Sequence, residues 1–298
     1  MDVSSANLRV LCQIAESGSF TAAATELGYT QSAVSRQAIA LERSAGTTLF
    51  ERRTDGVRLT RSGLTLLRHA RAILASVDAA ERDLTGEPPR TEQVRLGLVP
   101  SAGPVVLSAA LTRLARTAPR VRVTTREGTT PSLARALRSG AIDVAVLVSR
   151  PPHRPPDAES PRLHVTTVED TELVVAAPAT GVFAGRTSVH VDELADVPWI
   201  ASPSSGAEPL LGVWPGLGRA RVVHAARDWL TKLHLVAGGF GVTTIPARFS
   251  ALVPAGVTSL RVEGAPPEIR RVLVAHLPGA ATPAVAAVVE AITASFGP

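Results

Sequence analysis

Cysteine, lysine, methionine and tyrosine each occur once in these 298 residues, and aromatic residues make up only 3%. Cys12 is the single cysteine, so neither a disulfide within the chain nor a thiol redox pair can form. It lies in an apolar stripe, where a buried structural thiol is expected. Lys232 is the one lysine among 31 basic residues, and the rest are arginine. It follows Thr231 rather than a glycine, which excludes a phosphate loop. The arginine bias reads as genome composition more than as a set of phosphate forks. No stretch approaches the roughly 20 consecutive apolar residues of a membrane helix. The N-terminus has an acid at Asp2 and no basic region ahead of an apolar block, unlike a signal peptide. The expected location is the cytoplasm, with no membrane partner.

A strong excess of charge is missing too. The net charge is +5, and it is not gathered at one end: residues 1–90 hold 11 Arg against 10 acids, residues 91–298 hold 20 basic residues against 16 acids. The pI near 10.7 follows from having so few groups that titrate between neutrality and arginine. Global charge therefore does not mark a nucleic-acid binder, and any such reading must rest on a local motif.

Such a motif is present. Leu8, Leu11, Cys12 and Ala15 recur at helical spacing in a helix expected over Asn7 to Glu16, which Gly18 ends. Ser19 can cap a second helix, Phe20 to Leu27, and Gly28 permits a sharp turn. Thr30 can cap a third, from Gln31 to about Arg43. Small Ala24 lets the third helix cross the second closely, while Val34 and Leu41 point to the core. The opposite face displays Gln31, Ser32, Ser35, Arg36 and Gln37, with Thr30 at its start. Hydrogen-bonding side chains on a helix of this kind suit the base edges of a major groove. Asp55-Gly56 between short alternating runs is a hairpin signal. A hairpin there makes a wing, with Arg52, Arg53 and Arg58 placed for phosphate or minor-groove contact, where a solvated arginine-rich turn is the plainer alternative.

The run Ala22-Ala23-Ala24, Leu27, Thr30 to Gln37, Leu41-Glu42, Gly46, Leu49 to Arg52, Leu59-Thr60 and Gly63, preceded by Gly18-Ser19-Phe20-Thr21, resembles the DNA-binding domain of the LysR-type transcriptional regulators. The match covers about sixty residues without a gap. One departure is Ala38, where the family usually has a branched apolar residue facing the core; Ile39 follows it.

Arg61 to about Thr85 reads as one long helix, capped by Thr60 and stopped by Gly86-Glu87-Pro88-Pro89. Leu67 and Leu74 repeat at seven, as do Ala70, Val77 and Leu84, which is a heptad-like seam. The resemblance implies that this helix forms a homodimer, or a homotetramer; packing against its own chain is the alternative. Beyond residue 93 strands and helices alternate, predicting a largely parallel sheet with helices on both faces. The Pro-rich stretch from Pro151 to Pro161 reads as a stiff crossover. A second α/β set follows, with strands expected at Leu173 to Ala177 and at Arg221 to Ala225 and a helix from Asp228 to Ala237. Leu235 to Val242 with Ile245-Pro246 is similar to the family's effector domain, a pair of α/β lobes like a periplasmic binding protein.

The expected organisation is a winged helix-turn-helix over residues 1–60, a linker and dimerisation helix over 61–90, and an effector-binding domain over 91–298. In the last, lobe I covers about 93–161 and 268–298, and lobe II about 162–267. A cleft between lobes would be lined by Ser101, Thr129, Thr130, Ser202 and Ser204. Hydroxyls beside free helix N–H groups suit a small anion, though each residue alone is as readily an ordinary cap or turn residue. The partners implied are double-stranded promoter DNA and a small, anionic effector. The competing reading is an α/β-domain enzyme with an accessory DNA-binding module. Against it, Gly239-Phe240-Gly241 lacks the third glycine of a dinucleotide fingerprint, and neither Gly-x-Ser-x-Gly nor His-Glu-x-x-His occurs. The seven histidines show no metal-ligand spacing, so neither metal nor cofactor is expected.

Overall fold

A computed structural model describes residues 3–53, 56–85, 91–150, 162–203, 211–218, 220–278 and 282–296. Helix α1 (Ser5–Ser17) begins where the Ser4 hydroxyl accepts the Asn7 amide. Helix α2 (Phe20–Leu27) begins at Ser19 in the same way, and Gly28, at φ 68°, turns the chain out of it. This left-handed conformation costs glycine little and other residues more. Helix α3 (Gln31–Ala45) starts at Thr30, whose hydroxyl accepts from Ala33 N. Leu8, Leu11, Ile14, Val34 and Leu41 close a core beneath these helices, with Ala24 also buried.

Strands β1 (Phe50–Arg53) and β2 (Gly56–Leu59) pair antiparallel, Glu51 opposite Arg58. The turn between them, with Asp55, lies outside the described residues. Glu42 fixes this hairpin to α3 by accepting from the amides of Leu49 and Phe50, at 2.7 and 3.1 Å. Val57 N donates to Gly18 O, and a Cβ on Gly56 would sit 2.7 Å from that same oxygen, so the close approach requires glycine.

Helix α4 (Arg61–Thr85) corrects the seam read from sequence. Leu67, Ala70 and Leu74 are buried in the core of the helix-turn-helix. The outward apolar residues are Ile73, Val77, Ala80 and Leu84, spaced four, three and four apart; Ile73 is 47% and Leu84 87% exposed. Arg71, on the same helix, donates to Gly140 O and reaches Glu16 of α1 at 3.3 Å.

The remaining elements are β3 (Glu92–Leu98), α5 (Ser108–Thr117), β4 (Val121–Glu127), α6 (Thr130–Arg138) and β5 (Val144–Ser149), then β6 (His164–Pro178), β7 (Ser188–His190), β8 (Pro198–Ala201) and β9 (Arg221–Ala225). Helix α7 (Trp229–Ala237), β10 (Thr243–Pro246), β11 (Val257–Glu263), β12 (Ile269–His276) and α8 (Pro283–Ala294) complete the chain. A wide helical turn, Gly103–Leu107, runs into α5. The Pro151 to Pro161 crossover lies outside the described residues.

The main sheet runs β4-β3-β5-β12-β6-β11-β7, with β10 also paired to β6. Strands β3, β4 and β5 are parallel, as expected, but β12 runs antiparallel to both β5 and β6. The sheet is therefore mixed. The reversed strand is β12, and its partner β6 is a 15-residue strand that serves both lobes. Its His164–Glu172 half pairs with β12, and its Leu173–Pro178 half pairs with β10 and β11. The crossing falls at Glu172 and Leu173, where Ile269 lies opposite Glu172 and Leu173 N donates to Glu268 O. Only the second half was legible in the sequence, because His164–Glu172 has no apolar run. Helix α8 returns to pack against the lobe I core of Leu96, Val146 and Val274. Trp199 anchors lobe II, fully buried with its ring N–H donated to Leu194 O.

Candidate functional site

The exposed face of α3 is the first candidate. Gln31, Ser32 and Arg36 are exposed and Ser35 half-buried. Gln31 donates its side-chain amide to Ser35 Oγ at 3.0 Å, which holds two groups of the face in one arrangement. Thr30 is engaged as the cap of α3, with its hydroxyl 3.1 Å from that of Ser32. Gln37 departs from the expectation: its amide oxygen is buried and finds no hydrogen-bond partner, so it faces inward more than the helical spacing implied. Ala38 is buried and Ile39 exposed, which leaves Arg36 and Arg43 as the charges of that face. Beside the helix, Arg52 and Arg53 stand in β1 opposite Val57 and Gly56, and exposed Arg58 stands in β2. A protruding helix and an arginine-bearing ribbon on one small core can engage a groove and its flanking phosphates together.

The second candidate lies where the lobes meet, and the strand registers locate it. Ser149 at the carboxyl end of β5 is opposite Arg271, close to the start of β12 and hence to the crossing. Ser101 follows β3, and Thr129 follows β4, the neighbour that pairs Glu127 with Leu98. Both residues are therefore on the carboxyl edge of lobe I, the edge at which the crossing lies. In lobe II, Pro246 at the end of β10 is opposite Leu173. Strand β8 runs parallel to β10 through the Trp199–Val242 bridge, and β9 parallel to β8. Ser202, just past β8, is on the carboxyl edge of lobe II and faces the same crossing. Carboxyl edges of parallel strands are where open α/β sheets receive ligands.

Of the five effector residues expected, then, three are presented at that edge. Thr129 caps α6 by accepting from Ser132 N, and it is exposed. Thr130 is a correction: its hydroxyl donates to Val148 O at 3.0 Å and accepts from Val148 N at 3.2 Å, which pins α6 to β5 and spends its one donor, so it has no hydrogen to give an anion. Ser204 lies outside the described residues. A concavity of about 270 Å³ beside the crossing is lined by Glu172, Trp214, Arg261 and Glu263, and holds none of these hydroxyls.

Sequence reasoning gave Lys232 no role. Its side chain is 2% exposed on the first turns of α7, and its ammonium donates to Ser202 Oγ. It also stands 4.8 Å from the centre of the Trp229 ring. Burial pulls its pKa down from 10.5 to about 8, against the raising field of Asp228. The signal that could have found it was the lysine itself, alone among arginines and at an apolar helix position.

Among the described residues no group of three or more His, Cys, Asp and Glu is placed to hold a metal ion, and no helix is long and apolar enough to cross a membrane. Two family models match the chain: a bacterial regulatory helix-turn-helix protein of the lysR family over residues 5–64, and the LysR substrate binding domain over residues 88–297. A probable hydrogen peroxide-inducible genes activator from Mycobacterium avium is 35% identical over 246 residues, 81% of this chain and 77% of that protein. Among solved structures, ArgP from Mycobacterium tuberculosis has a TM-score of 0.76 at 20% identity, covering 99% of this chain and 98% of that one. A full-length, singly substituted OxyR from Pseudomonas aeruginosa gives 0.70 at 19%, covering 99% and 95%. At these identities the structures speak for the fold alone.

Proposed function

The chain belongs to the LysR family of bacterial helix-turn-helix regulators, and we propose that its α3 face and hairpin read promoter DNA while a small anionic effector at the lobe crossing biases that reading. Residues 1–60 bind DNA, 61–90 link and dimerise, and 91–298 hold the effector. Gln31, Ser32, Ser35 and Arg36 address base edges, and Arg52, Arg53 and Arg58 the phosphates. Two copies pair through the outward seam of α4, as a homodimer or within a homotetramer. The protein works in the cytoplasm, as a regulator and not an enzyme. The observation that supports this best is the capped, exposed polar face of α3 standing beside a hairpin on a shared core. Sequencing genomic DNA retained by the full chain tests it: enrichment of one promoter is expected, and uniform recovery would overturn it.

Arg36→Ala should weaken specific binding by about 1–3 kcal/mol, the usual worth of a base contact. Gel shifts on promoter and random duplex decide the point. An equal loss on both would make Arg36 a phosphate contact.

The M. avium relative is named as a probable activator of hydrogen peroxide-inducible genes, and this chain has a thiol poorly suited to sensing peroxide. Its one cysteine lies in α1, away from the lobe crossing. Burial pushes the Cys12 thiol up from 9.0 to about 11, so little reactive thiolate exists near neutrality. Hydrogen peroxide should leave specific DNA binding unchanged, and Cys12→Ala should behave as the parent. A peroxide response that vanishes in Cys12→Ala would show thiol sensing after all.

A further inference from the structure

Lys232 is chemically out of place as a purely structural residue. Its position on α7 is flanked inside the helix by buried Leu233 and Val236, and it is 2% exposed itself. Among the described residues its polar and aromatic neighbours are the Ser202 hydroxyl and the Trp229 ring, which orient an ammonium but bring no negative charge. Asp228 is the acid whose field reaches it, yet that carboxylate is occupied at the start of α7, accepting from Thr231 N at 2.7 Å. Among the described residues no carboxylate forms an ion pair with Lys232. A buried cation without a counter-charge is costly to keep. A chain that places arginine everywhere else has also kept the compact, point-like cation here.

Resting on the effector reading above, we propose that Lys232 and Ser202 receive the carboxylate of a small organic monoanion. Ser202 follows β8, and α7 follows β9, so the pair sits on the carboxyl edge of lobe II. That edge faces the crossing from the side opposite Ser101 and Thr129. The ammonium supplies one positive charge, and the hydroxyl is free to donate its own hydrogen onward while accepting from Lys232. One buried positive charge is neutralised by one negative charge. A carboxylate matches that count, whereas a phosphate dianion would leave an excess charge in the same place. Because the donors come from lobe II and the facing hydroxyls from lobe I, a ligand held here touches both lobes and has different contacts whenever their angle changes.

The single lysine makes the test direct. The full chain labelled with ¹³C at the lysine side chain gives one lysine signal in solution. Acetate should shift that signal and raise its titration midpoint, while uncharged acetamide, and chloride at matched ionic strength, should not. Ser202→Ala should weaken the acetate effect about tenfold, the loss of one hydrogen bond to a charged group. Lys232→Met, which fills the same space without charge, should fold and lose the acetate-induced rise in melting temperature. If that variant fails to fold, the signal of the parent still decides. A lysine signal indifferent to acetate, or equally moved by chloride, overturns the inference, and one moved far more by phosphate overturns the ligand class. Retention of specific DNA alongside an indifferent lysine would leave the regulator reading standing. A responsive lysine with DNA affinity unaffected by acetate would support the carboxylate site and remove its role as the effector site.

Discussion

Ile73→Glu should leave each chain folded but monomeric, and specific promoter affinity should fall with it. Ile73 is 47% exposed in the single chain, so a charge there costs the monomer little. In a paired state it stands in the outward seam with Val77, Ala80 and Leu84, and the substitution puts a carboxylate into each copy of one symmetric contact. Burying a charge without a partner costs at least about 2 kcal/mol per copy. Two copies then weaken association about a thousandfold, at roughly 1.4 kcal/mol per tenfold. Leu74→Glu, one residue on, should act in the opposite manner: Leu74 is 8% exposed within the core of the helix-turn-helix, so the monomer itself should unfold at that end. Light scattering and circular dichroism on the two variants separate the outcomes. A dimeric Ile73→Glu chain would move the pairing surface off α4.

The second large effect is on stability against pH. Folded Lys232 releases its proton at about 8, whereas in the unfolded chain it holds it to 10.5. Between those values the unfolded chain binds more protons, so stability rises with pH, by on the order of 3 kcal/mol over the whole window. Cys12 acts the other way. Its folded thiol keeps a proton up to about 11 while the unfolded thiol loses it at 9.0, so stability falls as pH climbs through that interval. The parent chain should therefore gain about 1 kcal/mol from pH 8 to about 9 and then level off. Cys12→Ala should go on gaining towards 10.5, and Lys232→Met should be flat before declining. Denaturant midpoints across this range distinguish the three curves. A parent curve without the initial rise would mean that Lys232 is solvated in the folded state.

Most of the N-terminal architecture was open to sequence reasoning because each junction there is made by one residue with one strong preference. Gly28 turns, Ser19 and Thr30 cap, and Ala24 lets two helices approach. The parts that escaped share a different property: their pattern has more than one physical solution. A seven-residue repeat on α4 shows that an apolar stripe exists, but α4 has two such stripes. One meets α1 and the other faces outward, and the spacing cannot say which is which. A hydroxyl at a helix start can cap, pin or bind. Thr129 caps, while Thr130, its neighbour, is spent on the backbone of β5. Gln37 falls on the polar face by helical geometry, yet its oxygen turns inward. Lys232 was hidden by the arginine bias itself, since a composition explained by the genome invites no question about its one exception. The first half of β6 was hidden because a strand mostly exposed on its polar residues lacks the apolar signal that strand recognition uses.

Arg71 has a mechanical consequence when taken together with α6. Nine residues of helix make a strut about 13 Å long that resists compression far better than a loop does. One end starts at Thr129, on the edge where the lobes meet, and the other gives way to Gly140, whose carbonyl is gripped by Arg71. Arg71 in turn grips Glu16, on the helix that carries the reading head. Thr129, α6, Gly140, Arg71 and Glu16 thus form one continuous run of covalent and polar contacts from the carboxyl edge of lobe I to α4 and α1.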